Sequence, residues 1–129
     1  MTEQAISVLV ADDDMMNRLV AMESLKYLGA EVVAVSSGQE ALDALNQRAF
    51  DLLLLDVHMP DMTGIEVAMR RRAHEQTRGD DRLPIVALTA SATVKDQESC
   101  LAAGMDGVLT KPYRIEQLAS VLNDWCRRD

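Results

Sequence analysis

Residues 51–61 read DLLLLDVHMPD. Four leucines run straight into Asp56, and two residues later the chain turns at Met59-Pro60. An apolar run that short and uniform is the pattern of a strand buried on both faces, as in the interior of a parallel sheet. Segments of the same kind recur on either side: SVLVA at 7–11, EVVAVS at 31–36, PIVALTA at 84–90 and GVLTK at 107–111. Between them the spacing becomes helical, as in Met15, Met16, Leu19, Val20 and Leu28, in Ala41, Leu42 and Leu45, and in Ile115, Leu118, Leu122 and Trp125. Gly29 and Gly104 stand where helix C-termini favour glycine. Strand alternating with helix five times predicts a doubly wound α/β domain, because parallel neighbours need crossovers and crossovers are right-handed. Residues 70–82, RRRAHEQTRGDDR, read as a helix end and a solvated loop.

Length and composition narrow the classes. The 129 residues suit one domain, 1–129, large enough to bury a core without staples. With 48% hydrophobic and 26% charged residues, and no apolar run near the ~20 residues that cross a bilayer, no membrane association is expected. MTEQAISVLV shows no basic segment ahead of a long apolar one, so the expected location is cytoplasmic. The formal charge of -8 disfavours nucleic acid, whose phosphates reward basic surfaces. Cys100 and Cys126 belong to no metal or disulfide spacing and read as buried or idle thiols.

The polar residues fall at the ends of the predicted strands. The first ends in Asp12, Asp13 and Asp14, the third in Asp56, the fourth in Thr89 with Ser91 beyond it, and the fifth in Lys111-Pro112. In a parallel sheet these ends lie side by side, where ligands of doubly wound folds collect. Carboxylates so close repel one another unless a cation sits among them, and Mg²⁺ suits a small acidic cluster that leaves room for water and phosphate. A lysine and a hydroxyl across from that metal make a receptacle for a phosphoryl group. Asp56 is then the nucleophile, carrying the group as an acyl phosphate.

VLVADDD, DLLLLDVHMPDMTG, PIVALTA and GMDGVLTKPY, in this order and spacing, resemble the response-regulator receiver domain over nearly the whole chain. The resemblance implies a flavodoxin-like five-stranded sheet in the order 2-1-3-4-5. It implies Mg²⁺ bound by Asp12, Asp13, Asp56 and the backbone carbonyl of His58, with Asp56 as phosphoacceptor. Thr89 would bond a phosphoryl oxygen and switch rotamer, Lys111 would pair with the phosphate, and the Lys111-Pro112 bond would be cis. Asn17 and AAGMDGVLTKP resemble receivers of hybrid histidine kinases and phosphorelays, whose partners are a histidine kinase or a histidine phosphotransfer domain. The partner would dock over the mouth against Met15, Met16 and Leu19. As the chain stops soon after its last helix, a stand-alone receiver or one excised from a hybrid kinase is expected, a signalling domain and not an enzyme in its own right. Val108 stands where receivers often carry Tyr or Phe, so output would use the Thr89 loop and fourth helix; Tyr113 does not inherit the role.

Other residues have structural readings. Asp14 is expected to cap the first helix. Asp61 reads as a turn residue with local bonds, Gly64 as a backbone requirement and His74 as a solvated helix residue. Methionines at helical spacing are more often core filler than binding surface, which is the expectation for the eight here. Ala90 and Ala92 near the mouth suggest access for a partner's side chain.

Three rival readings differ from this one in the residues they require. A haloacid-dehalogenase-type enzyme needs an acidic residue two places after its nucleophile, where this chain has His58. A flavodoxin-like nucleotide binder needs backbone amides where VLVADDD places acid. The third is a degenerate receiver acting as a phosphorylation-independent interaction module, against which stands the presence of Asp12, Asp13, Asp56, Thr89 and Lys111.

Overall fold

The computed structural model describes residues 5–91 and 93–126. The strands are β1 (Ser7–Ala11), β2 (Glu31–Val35), β3 (Leu52–Asp56), β4 (Ile85–Thr89) and β5 (Gly107–Thr110). They alternate with helices α1 (Met15–Tyr27), α2 (Gly38–Gln47), α3 (Gly64–Arg78), α4 (Val94–Ala102) and α5 (Ile115–Trp125). All strands pair in parallel in the order β2-β1-β3-β4-β5, as expected for the doubly wound fold.

The leucine run explains itself through strand geometry. Successive side chains point to opposite faces. Leu53 and Leu55 therefore enter one core with Leu9, Ile85, Val67 and Cys100, while Leu52 and Leu54 enter the other with Val8, Val10, Leu25 and Leu118. All four leucines are fully buried. The first layer is roofed by α2, α3 and α4, the second by α1 and α5.

Each of the first four helices opens on a side-chain oxygen that accepts from a backbone amide three residues on: Asp14, Ser37, Thr63 and Thr93. Asp14 thus caps α1 as expected. Gly29 and Gly104 have φ of 90° and 100°, which only glycine adopts without strain.

One expectation is corrected, that the methionines are core filler. Ala21 and Leu25 are the fully buried residues of α1, while Met15, Met16, Leu19 and Val20 face outward, 48–68% exposed. Both sides of this helix are apolar near its start, so periodicity alone points two ways. The methionines divide accordingly: Met59 and Met105 fill the core, whereas Met15, Met16 and Met69 are exposed. The stretch 70–82 is a helix end and an exposed loop as expected: α3 continues to Arg78 and stops at left-handed Gly79, residues 79–82 are exposed, and within the helix Glu75 is buried.

Candidate functional site

The carboxyl ends of β1, β3, β4 and β5 converge as the sequence indicated. Asp12 follows β1, Asp56 closes β3, Thr89 closes β4 and Lys111 follows β5. Asp12 and Asp56 are buried, whereas Asp13 is exposed. One carboxylate oxygen from each of these three lies within 4.8 Å of the others.

The loops that carry them are held by their own backbones. Asp12 Oδ1 accepts from the Asp14 amide at 2.9 Å, and the Asp12 amide donates to the Val35 carbonyl at 3.1 Å. Arg18, one turn into α1, donates from Nη1 to the Asp12 carbonyl at 2.9 Å. No pattern in the sequence marks this residue, because its partner is a backbone carbonyl. After β3, the His58 amide donates to Asp56 Oδ1 at 3.1 Å and the Gly64 amide to the Val57 carbonyl at 2.9 Å. A Cβ at Gly64 would overlap the Asp56 carbonyl oxygen, which accounts for the glycine. Asp61 reaches beyond its own turn: its carboxylate accepts from the amides of Gly38 and Gln39 at 3.0 and 2.9 Å, pinning this loop to the start of α2. Those amides hold its carboxyl below the usual range.

Lys111 is the central cation. Its Nζ lies 2.8 Å from Asp12 Oδ2 and 3.5 Å from Asp56 Oδ2, and its amide donates to the Thr89 carbonyl at 2.7 Å. Burial alone would lower the ammonium's pKa, but the close ion contact with Asp12 and the charge of Asp56 outweigh it and raise it. The Lys111-Pro112 bond is cis, as expected. Tyr113 packs into the second core, its phenol pushed up to about 12 by burial and then by Asp12 and Asp56. Val108 packs part-buried on the first core.

Thr89 is buried, but its hydroxyl is engaged elsewhere: Oγ1 donates to the Ser91 carbonyl at 2.9 Å and accepts from the Ser91 amide at 3.1 Å. Ala90 beside it is exposed; Ala92 lies outside the described residues. His58 is exposed, and His74 is half-buried with Nε2 3.6 Å from Asp80.

Does this set suit a divalent cation? Asp12 Oδ2 is buried and has no aligned hydrogen-bond donor, the 2.8 Å approach of Lys111 being an ion contact without that alignment. A buried carboxylate oxygen left without a donor beside two further carboxylates fits a hard ion that takes oxygen ligands. The response regulator receiver domain matches residues 8–123. The chain belongs to this family. Among curated relatives, the receiver is 46% identical over 125 residues to the sensor protein GacS of Pseudomonas syringae pv. syringae, covering 97% of this chain and 14% of GacS. It is 34% identical to the receiver domain of a sensor histidine kinase of Pseudomonas aeruginosa PAO1, solved with a magnesium ion in its active site cleft (TM-score 0.84; 95% of this chain, 98% of that one). It also matches, at 28% identity and TM-score 0.89 over 94% of this chain and 88% of that one, the co-crystal structure of the Saccharomyces cerevisiae phosphotransfer protein Ypd1 and the receiver domain of Ssk1. No helix among the described residues is long and apolar enough to cross a membrane.

Crowding leaves a thermodynamic mark on this receiver. Burial first, and then the charge of Asp12, push the Asp56 carboxyl up to about 6 against the His58 amide and Lys111. A carboxyl raised in the folded state stabilises the fold at pH below its unfolded value and loses that contribution as pH climbs through 6. Asp56→Asn in a metal chelator is therefore expected to be more stable than the parent at pH 7.5 by roughly 1–3 kcal/mol, the gain disappearing near pH 4. Thermal melts from pH 4 to 8 measure it; equal melting temperatures at pH 7.5 would refute the stated charge cost.

Proposed function

We propose that this receiver takes a phosphoryl group from a phosphohistidine onto Asp56 and answers by moving the loop after β4. The observation that carries the proposal is the placement of the Asp56 carboxylate: buried, with Oδ1 on the His58 amide and Oδ2 turned to Lys111, beside Asp12 and Asp13. Asp12, Asp13, Asp56 and the His58 carbonyl would hold Mg²⁺, which when bound offsets phosphoryl-oxygen charge. A carboxylate oxygen of Asp56 forms the new O–P bond as the P–N bond of the phosphohistidine breaks and its electron pair returns to the imidazole. Lys111 neutralises charge on the transferring group, and Thr89 leaves Ser91 to donate to a phosphoryl oxygen.

The exposed Met15, Met16, Leu19 and Val20 surround the start of α1, next to Asp12 and Asp13. This apolar patch suits a histidine phosphotransfer domain or the histidine domain of a kinase, a partner class in keeping with the Ypd1–Ssk1 complex. As the chain spans 14% of the length of GacS, a place within a hybrid sensor kinase belongs to the proposal as well. The phosphorylation-independent alternative draws no support, since no charged position of the site is lost.

Intact mass after incubation with acetyl phosphate tests the reading. One phosphoryl group is expected with Mg²⁺, none in chelator and none in Asp56→Asn. Labelling that persists in the variant would overturn the choice of acceptor.

A further inference from the structure

We propose that Ser91 and Asp96 form a latch that holds Thr89 in its resting position and thereby sets how readily the phosphorylated state is reached. The inference rests on the phosphoacceptor reading and adds two positioning residues to it. A threonine hydroxyl has one proton to donate, and that of Thr89 is committed to the Ser91 carbonyl. Any bond from Thr89 to a phosphoryl oxygen on Asp56 requires this donation to be broken. The same hydroxyl accepts from the Ser91 amide, so the two residues form a closed pair.

Ser91 is itself tied down. Its Oγ donates to Asp96 Oδ2 at 2.8 Å, in the first turn of α4. The Asp96 amide donates to Thr93 Oγ1, the cap of that helix, at 3.1 Å. Hydrogen bonds from Ser91 first and Thr93 next keep the Asp96 carboxyl below its ordinary range, aided by the charges of His58 and Lys95. A charge-assisted bond thus closes a chain from the end of β4 to the start of α4. Thr89 cannot donate to a phosphoryl oxygen without giving up its bond to the Ser91 carbonyl, and the Ser91–Asp96 bond holds that carbonyl in place to receive it.

Beryllofluoride with Mg²⁺, a stand-in for the phosphoryl group, provides the test by calorimetric titration. Ser91→Ala and Asp96→Ala are each expected to bind it roughly three- to five-fold more tightly, the worth of one surface hydrogen bond. The double variant should gain no more than either single, because the two side chains make one bond. In a Thr89→Ala background the gain should vanish, which a general loosening of the loop would not produce. Unchanged or weaker binding in the single variants, or an equal gain without Thr89, overturns the latch. Failure of the unsubstituted protein to bind the mimic at all would instead refute the phosphoacceptor reading on which it rests.

Discussion

Lys111→Met is expected to slow Mg²⁺-dependent labelling of Asp56 by roughly 10²-fold, the usual cost of deleting one preorganised donor aimed at developing charge. Methionine keeps the stem and removes the ammonium that stands 2.8 Å from Asp12 and 3.5 Å from Asp56. A second readout moves in the opposite direction. With the cation gone, only the Asp14 and His58 amides oppose the mutual repulsion of the Asp12 and Asp56 carboxylates, so Mg²⁺ should bind more tightly to the variant than to the parent. Labelling rates by mass spectrometry and Mg²⁺ affinity by calorimetry distinguish this from simple damage to the site, which would weaken both. Labelling at the parental rate would remove Lys111 from the mechanism.

Glu75→Ala is expected to lower stability by about 3–5 kcal/mol, the cost of orphaning buried charges, and the melting temperature by roughly 10–20 °C. The Glu75 side chain is 8% exposed and accepts from Arg71 Nε at 3.0 Å, from Arg72 Nη1 at 2.8 and 2.9 Å, and from the Leu83 amide at 2.8 Å. Arg72 reaches on to the Gly104 carbonyl and to Asp106, whose carboxylate also takes the Ile85 amide. One carboxylate thus fixes the end of α3, the entry to β4 and the turn before β5. Burial opposes its ionisation, but the Leu83 amide and the two arginines prevail and leave the carboxyl lowered. A lowered carboxyl stabilises the fold above its unfolded pKa and stops doing so as pH falls through the folded one. The deficit of the alanine variant should therefore shrink in acid. Urea melts at pH 7 and pH 3.5 measure both parts, and a loss below about 1 kcal/mol at pH 7 would mean that the node is not cooperative.

Much of this was legible because strands buried on both faces write an unbroken apolar word, and the residue that ends the word marks the strand's end. Leu52 to Leu55 with Asp56, and Ile85 to Leu88 with Thr89, are read that way. Residues whose role is set by a distant backbone were not legible. Asp61 bonds amides more than twenty positions away, and Arg18 serves the carbonyl of Asp12 from the next helix. Glu75 looked solvated because its neighbours are charged; only the fold shows those charges turned inward upon one another. The direction of α1 was ambiguous for the opposite reason, with apolar residues on both sides.

The four leucines have one more consequence, a mechanical one. Clamped by a close-packed layer on each side and by a strand along each edge, β3 has no direction in which to yield. Asp56 is mounted on it as a workpiece is mounted on an anvil. Force delivered there has to be taken up by a neighbour, and at the end of the adjoining strand stands the three-bond tether of Thr89, Ser91 and Asp96.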